Sequence, residues 1–588
     1  MTTNEKLALL RAKMKAAELD AYIVPTADSH LSEYIPERFK FRRWLSGFCG
    51  SAGTLVVCAD RSGLWTDGRY YIQAEKELKG SEIELHKAAE RGVKGYVDYL
   101  CDVLDKGARV GLSGALISER ERANMAERFA SKDIELDINC DFSDIWTNRP
   151  DLPENEVFLL DIEYAGESVK SKIERVRKYM TENGVTAIAF TMLDCVMWLF
   201  NIRGSDIEYC PFALSRAVVD EDTAKLYIRT SCLNEAVRET LAADGVDVCE
   251  YEDFERTLAA ADNVIGLDFS RTNAATVAVC KNVKNVRDCI FDFKAQKNDA
   301  ENAALKECYI ADCAALARAF CRVEKMLAAN ERVTECKVSD IVLSERKKIG
   351  TFISASFDTI AAYGANAAMM HYSPAENTCA ALESAGMLLV DSGGQYLNGT
   401  TDITRTIVLG DISERQRRDF TLVLKGAIRL AEAKFIKGTT GANLDVLARL
   451  PLWEKGIDYK CGTGHGVGFC LNVHEGPQAF SQSLNSVPLQ CGMNLTIEPG
   501  VYIEGEYGIR TENNVCVVPF AETDSGEFFG FEMLSYFPID LRGIDAELLS
   551  QAEKEWLNDY HAKTYAKLSP FLDGEAQEWL KRATRPIN

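Results

Sequence analysis

Between residues 386 and 519 the chain repeatedly brings an apolar, strand-like run up against a carboxylate, and this limits the folds open to it. The run 386-GMLLV-390 stops at Asp391, and eleven positions later Asp402 opens the alternating run 403-ITRTIVL-409. A glycine-rich stretch with an Asn-Gly turn signal lies between them. The two runs therefore read as strands joined by a hairpin or short loop. Glu498 ends 494-NLTI-497 just before Pro-Gly, and Glu512 lies in the strand pattern of 508-GIRTENNVCVVP-519. Arg510, two residues before Glu512, is expected on the same face. A carboxylate at the inner end of an apolar strand is costly unless something pairs with it. The fold must bring compensating charge to these four positions.

Histidine is scarce, six in 588 residues. His465 and His474 fall in the glycine-rich stretch 461-CGTGHGVGFCLNVHEG-476. Asp391, Asp402, His465, Glu498 and Glu512 together make four anions and one imidazole, a set that repels itself unless cations neutralise it. Two divalent metal ions supply that charge. Hard oxygen donors with a single nitrogen suit Mn²⁺, with Zn²⁺, Co²⁺ or Fe²⁺ as alternatives. A carboxylate-bridged metal pair sharing a hydroxide is a standard hydrolytic arrangement. Taken singly, Asp402 or Glu512 reads as an ordinary salt-bridged carboxylate. GTGHGVG is not a phosphate loop, for it lacks the Lys-Ser/Thr and the strand–helix context. His30 reads as a satisfied or solvent-exposed side chain, and His86 and His561 as surface residues.

The chain is too long for one hydrophobic core, and two to four domains are expected. The formal charge of −22 argues against nucleic acid and against an anionic membrane surface, both of which need basic patches. The basic run 38-RFKFRRW-44 reads as an intramolecular or subunit contact. The first twenty residues follow a charged amphipathic helix pattern without the apolar core of a signal peptide, and no apolar run reaches membrane-spanning length. The nineteen cysteines form no CxxC pairs and read as reduced, mostly buried thiols. These features point to the cytoplasm. Helix-then-strand patterns recur at the start of the chain (20-DAYIVP-25) and again near 185-VTAIAF-190, which suggests two copies of one α/β unit. A Pro-rich polar segment, residues 146–157, separates them. Asn298 or Asp299 is positioned to cap a long helix over residues 299–328, in which Cys308, Cys313 and Cys321 are packing residues. The last forty or so residues read as amphipathic helix.

The order Asp, Asp, His, Glu, Glu with its flanks resembles the dinuclear metallopeptidases of pita-bread fold. The stretches HYSP (371–374), DSGGQY, GTTDITRT, GTGHGVG, NVHEGP, TIEPGVY and GIRTEN, with FRRWLSGFCGSAGTLVV and LWTDGRYYIQA near the start, WLFNIRGSDIEYCP in the middle and PIDLRGIDAELLSQAEKEWLNDYH near the end, look most like the Xaa-Pro aminopeptidases. The resemblance implies three domains of mixed α/β class: a creatinase-like α/β domain over 1–153, a second of similar plan over 154–293, and an α+β pita-bread catalytic domain with a helical tail over 294–588. Asp391 would be a terminal ligand to one metal, Asp402 and Glu512 would bridge the pair, and His465 and Glu498 would bind the second. Glu498 would also relay a proton. His371 and His474 match the family's two substrate-facing histidines, and Arg510 an arginine beside the bridging glutamate. One position departs from the pattern: Cys461 stands where many relatives have histidine, in the substrate pocket. The implied activity is removal of the residue before a penultimate proline in peptides, through attack by a metal-bridging hydroxide, in a homodimer. A prolidase restricted to dipeptides is the nearest alternative, and an inactive peptide- or protein-binding module is the alternative of another class.

Overall fold

A computed structural model describes residues 1–88 and 90–588. The backbone divides into two compact units. The first comprises residues 1–160, 167–208 and 212–290, and the second residues 161–166, 209–211 and 291–588.

The first unit holds two six-stranded sheets. In the first sheet the strands run Ile83–Lys87, Ser62–Thr66, Thr54–Cys58, Ala21–Pro25, Arg109–Gly111, Glu135–Asp137. In the second they run Val246–Cys249, Ala224–Ile228, Ser215–Asp220, Ala187–Phe190, Ile265–Leu267, Val283–Asn285. Numbered along the chain, both sheets have the order 4-3-2-1-5-6. In both, successive neighbours pair parallel, antiparallel, antiparallel, parallel and parallel. The faint sequence parallel thus reflects a full repeat of topology. Each copy opens on a helix whose start is capped in sequence. Thr2 and Glu5 form a capping box for Thr3–Ala16. Ser168 caps Val169–Asn183, which Gly184 ends in the left-handed conformation at φ 60°. His30 is buried and satisfied, with Nδ1 2.8 Å from Thr191 O and Nε2 2.7 Å from the Tyr251 hydroxyl. His86 is a correction to the surface reading: it is half-buried and stacked on Trp65 at 3.9 Å between ring centroids. In the basic run, Arg42 is buried and donates to the carbonyls of Phe48 and Gly50, an intramolecular contact.

The second unit opens on the helix Asp299–Ala328, where Asn298 and Glu301 form the capping box. Its Cys313, Leu316, Phe320 and Val323 pack on Leu388, Val390, Ile403 and Ile407. Cys308 is buried as well, and Cys321 is half-buried. All nineteen cysteines are free thiols. Strands Met387–Ser392 and Ile403–Val408 pair antiparallel, with Asp391 opposite Thr404. The connection between them is more elaborate than one turn, because a small hairpin, Gly394–Tyr396 with Gly399–Thr400, is inserted at the Asn-Gly signal. A six-stranded sheet carries the other site segments, in the order Phe435–Ile436, Gly526–Met533, Asn513–Thr523, Asn494–Ile497, Gly464–Gly466, Glu475–Phe480. The tail forms the helices Gln551–Leu568 and Gly574–Ala583. His561 on the first of these is fully buried, not at the surface, and its Nε2 accepts from the Ile539 amide at 3.1 Å. A histidine with an inward acceptor is tolerated there because it satisfies a backbone N–H from a distant strand-like segment.

Candidate metal centre

Asp391 projects from the end of strand Met387–Ser392, and Asp402 immediately precedes its partner strand. Glu512 lies between strands Tyr507–Arg510 and Asn513–Thr523, and Glu498 follows strand Asn494–Ile497. All of these elements end at one place. Asp391, Asp402 and Glu512 are each at most 7% exposed, and one ligand atom from each lies within 4.8 Å of the other two. A second group within the same reach comprises Asp402, His465 and His474. Beside it, Glu498 Oε1 is 3.4 Å from His465 Nε2, and Asp402 Oδ2 is 3.5 Å from the same nitrogen. The two imidazole rings meet edge to face, 4.4 Å between centroids.

His465 is oriented by its own backbone. Its Nδ1 is 2.9 Å from Gly466 O, so the neutral ring carries its proton on Nδ1 and turns the Nε2 lone pair toward the carboxylates. The strand reaches this position only because residue 464 is glycine: a Cβ there would lie 2.0 Å from Thr496 O. The Thr496 hydroxyl accepts from the His465 amide at 3.0 Å and lies 3.3 Å from Glu498 Oε1.

The protein itself brings little positive charge. Arg510 Nη2 lies 2.5 Å from Asp391 Oδ2, and Arg510 Nε is 4.0 Å from Glu498 Oε2. This guanidinium serves Asp391 first and touches Glu512 only through Thr404, whose hydroxyl accepts from Arg510 Nε at 3.1 Å and donates to Glu512 Oε2 at 2.8 Å. Asp391 Oδ1 and Glu512 Oε1 are buried with no hydrogen-bond partner among the described residues. Burial, together with repulsion from Glu512, Asp391 and Glu498, holds the Asp402 carboxyl well above its ordinary range. Burial and the charges of Asp391 and Glu498 do the same to Glu512. Glu498 is pushed up to about 7, first by burial and then by Asp391, against the pull of Arg510 and His474. Orphaned oxygens, mutual repulsion and an inward imidazole lone pair are the properties of a divalent-cation site, and the residues present fit two such ions.

The remaining candidates are placed as follows. Cys461 is half-buried, and its carbonyl accepts from Arg449 Nη2 at 2.7 Å. Burial and the nearby Glu498 push its thiol up to about 12, so it stays a neutral group. His371 lies on a segment outside the cluster's own strands, and the carbonyl of the preceding Met370 is 3.5 Å from Arg510 Nη2. Sequence reasoning missed Thr404, Thr496, Tyr502 and Arg405. The two threonines stand two positions from Asp402 and Glu498, hence on the same strand faces, a signal that period-two alternation carries. Tyr502 accepts from Arg510 Nη1 at 2.7 Å. Arg405 is buried and donates to the Glu512 carbonyl and, at 2.8 Å, to Asn513 Oδ1. It thereby fixes the backbone that presents Glu512.

Comparison with known proteins agrees with this geometry. Residues 303–519 match metallopeptidase family M24, and residues 527–587 its C-terminal region. Residues 6–138 and 148–301 each match a creatinase/prolidase N-terminal domain. Aminopeptidase P2 of Arabidopsis thaliana is 38% identical over 100% of this chain and 89% of its own length. The chain belongs to the Xaa-Pro aminopeptidase P family. A probable Xaa-Pro aminopeptidase P of Coprinopsis cinerea is 39% identical over 100% of this chain and 98% of its own. The crystal structure of the X-prolyl aminopeptidase of Caenorhabditis elegans, described as a cytosolic enzyme with a di-nuclear active site, superimposes with a TM-score of 0.96 at 34% identity over the whole of both chains. The fold is that of the family: two creatinase-type α/β domains and a pita-bread metallopeptidase domain.

Proposed function

We propose that this metal-dependent peptidase hydrolyses the bond between an N-terminal residue and a penultimate proline. The observation that carries the reading is the convergence of Asp391, Asp402 and Glu512 with His465 and Glu498, in a chain that aligns end to end with Xaa-Pro aminopeptidases P. That alignment does not favour the prolidase or inactive-module alternatives.

Asp391 would hold one cation, Asp402 and Glu512 would be shared between the two, and His465 and Glu498 would complete the second site. The oxygen-rich set with one imidazole suits Mn²⁺. When bound, such a pair lowers the pKa of a shared water and polarises the scissile carbonyl. The protein's own groups do the rest. Glu498 takes the proton released by the attacking water and passes it toward the departing proline nitrogen, a contribution of about 10²–10⁴-fold for general acid–base catalysis. His474, edge-on to His465, faces the substrate and donates to the oxygen on which charge develops. His371 holds the peptide from the other segment, and the neutral Cys461 thiol lines the pocket. A bond preceding proline has no N–H, and the ring fixes its backbone. Recognition must therefore rest on the free amino terminus and the ring.

The chain divides in this reading at 153/154 and 293/294. It works in the cytoplasm. No helix among the described residues is long and apolar enough to cross a membrane. It acts as a homodimer, as the family resemblance implies. Mass-spectrometric assay of Xaa-Pro dipeptides and longer Xaa-Pro peptides, with and without added Mn²⁺, tests the function. Release of the first residue from the longer peptides is expected, and cleavage of dipeptides alone would reject it.

A further inference from the structure

Residues 369–386 join the short helix Gly364–Ala368 to strand Met387–Ser392 and hold no helix or strand of their own, with turns and isolated bridges at Ala381 and Ala385 along them. A connection of this length inside a compact domain needs an external anchor. His371 sits on it. One side chain gathers it: Glu335, the first residue of helix Glu335–Arg346, which is 0% exposed. Its Oε1 accepts from the Tyr363 amide at 2.6 Å and Asn366 Nδ2 at 3.0 Å. Its Oε2 accepts from the Tyr372 hydroxyl at 2.8 Å and the Ala380 amide at 2.7 Å. The Glu335 amide in turn donates to the Ala380 carbonyl at 3.0 Å. Two of the donors precede His371 in the chain and two follow it, and Tyr372 is its immediate neighbour.

The other side of the segment is held by the metal centre's own strand. Ala367 packs so closely on Gly508 that a Cβ there would lie 1.8 Å from the Ala367 carbonyl oxygen. Two residues on, Arg510 reaches both Asp391 and the Met370 carbonyl. A buried carboxylate that spends its acceptor capacity on one loop fixes that loop's backbone, because losing a partner leaves buried donors unsatisfied.

We propose that Glu335 is a positioning residue for the reaction: through Tyr372, Ala380, Asn366 and Tyr363 it sets where the His371 imidazole stands relative to the carboxylate cluster. The proposal rests on the reading that His371 faces the substrate. Glu335→Gln keeps the shape but turns an amide NH₂ toward two of the four donors. In the full-length, Mn²⁺-loaded enzyme, kcat on an Xaa-Pro peptide is expected to fall roughly ten- to a hundredfold, the scale of a misplacement of about 1 Å, while metal content stays unchanged. The double variant Glu335→Gln/His371→Ala is expected to be no slower than His371→Ala alone, because both changes disable the same group. Multiplying losses would mark a general structural role and overturn the proposal, as would a wild-type kcat for Glu335→Gln when His371→Ala is impaired. A fully active His371→Ala would overturn the substrate-facing reading itself, and the proposal with it. Should Glu335→Gln fail to fold, Tyr372→Phe removes one donor beside His371. The same non-additive pattern is expected at about three- to tenfold, the worth of one buried hydrogen bond, and an unchanged kcat would overturn the proposal.

Discussion

Two buried clusters of charge lie in the same unit and are built on opposite plans. In the first, Glu475 is enclosed by Lys294, 2.7 Å from its Oε2, and by Lys297 on its Oε1. All three side chains are at most 1% exposed. Nearby in kind is Asp312, held by Arg346 at 2.6 Å and by the Tyr396 hydroxyl at 2.5 Å. These carboxylates have the cations they need within the protein. In the second cluster the guanidinium of Arg510 pairs with Asp391 and lies near Glu498, touching Glu512 only through Thr404, and Asp391 Oδ1 and Glu512 Oε1 have no donor among the described residues. The first plan is structural, because closing a buried charge with a fixed partner avoids a large desolvation penalty. The second plan leaves an excess of carboxylate that the surrounding side chains do not balance, so that bound cations or added protons must. The same chemical group, aspartate or glutamate in a dry interior, is thus structural in one place and, in the proposed function, ligating in the other. What differs is whether the chain supplies the counter-charge.

The sharpest break of this comparison is catalytic. Glu498→Gln or His465→Ala is expected to lower hydrolysis by at least about 10³-fold, since each removes a proposed metal ligand and Glu498 also a general acid–base group worth about 10²–10⁴-fold, while circular dichroism reports an intact fold. Near-normal turnover in either would remove the assigned roles. Next comes one change made in both clusters. Glu475→Gln leaves two buried ammonium groups without their anion and should cost about 3–5 kcal/mol in urea unfolding. Glu512→Gln relieves repulsion, and in chelator-treated protein it should be neutral or stabilising by about 1–3 kcal/mol, the worth of a buried charge left unbalanced. The same sign in both would erase the distinction. Added Mn²⁺ should raise the stability of the wild type, by about 2.7 kcal/mol for one site at a hundredfold excess over Kd. It should do so much less for Glu512→Gln, as read by differential scanning calorimetry.

A control lies outside both clusters. Burial lowers His561 to about 4. A histidine whose folded pKa is depressed contributes stability that is present above its unfolded value near 6.5 and lost as the pH falls toward 4. His561→Gln, which keeps a polar side chain, should therefore flatten the acid limb of stability between about pH 6.5 and 4, by up to on the order of 3 kcal/mol. An unchanged acid limb would show that His561 is not held neutral by burial.

Much of the fold could be read from periodicity. The helix Asp299–Ala328 begins where Asn298 and Glu301 announce a cap, and the strand runs at 387–392 and 403–408 are short apolar and β-branched stretches buried along their whole length. Carboxylates at the ends of apolar runs marked the candidate residues, and it is the family resemblance rather than their spacing that reads them as ligands. What escaped depends on contacts distant in sequence. Glu335 looks like an acidic residue favouring the start of a helix, and only the return of residues 363–380 buries it. His561 follows a polar helical pattern, yet the segment Phe537–Ile539 covers it. Arg510 was expected beside Glu512, but its length carries it to Asp391 because Thr404 occupies the nearer position. Side-chain alternation gives the face a residue points to, not which partner across that face it reaches.

The most direct test of the central claim is anomalous diffraction from crystals grown with Mn²⁺, paired with metal analysis of the same protein. The account predicts two manganese peaks bridged by Asp402 and Glu512, with Asp391 on one ion and His465 and Glu498 on the other, and about two metal equivalents per chain. A well-ordered structure with no anomalous peak among these five side chains, in protein that still cleaves Xaa-Pro peptides, would contradict it.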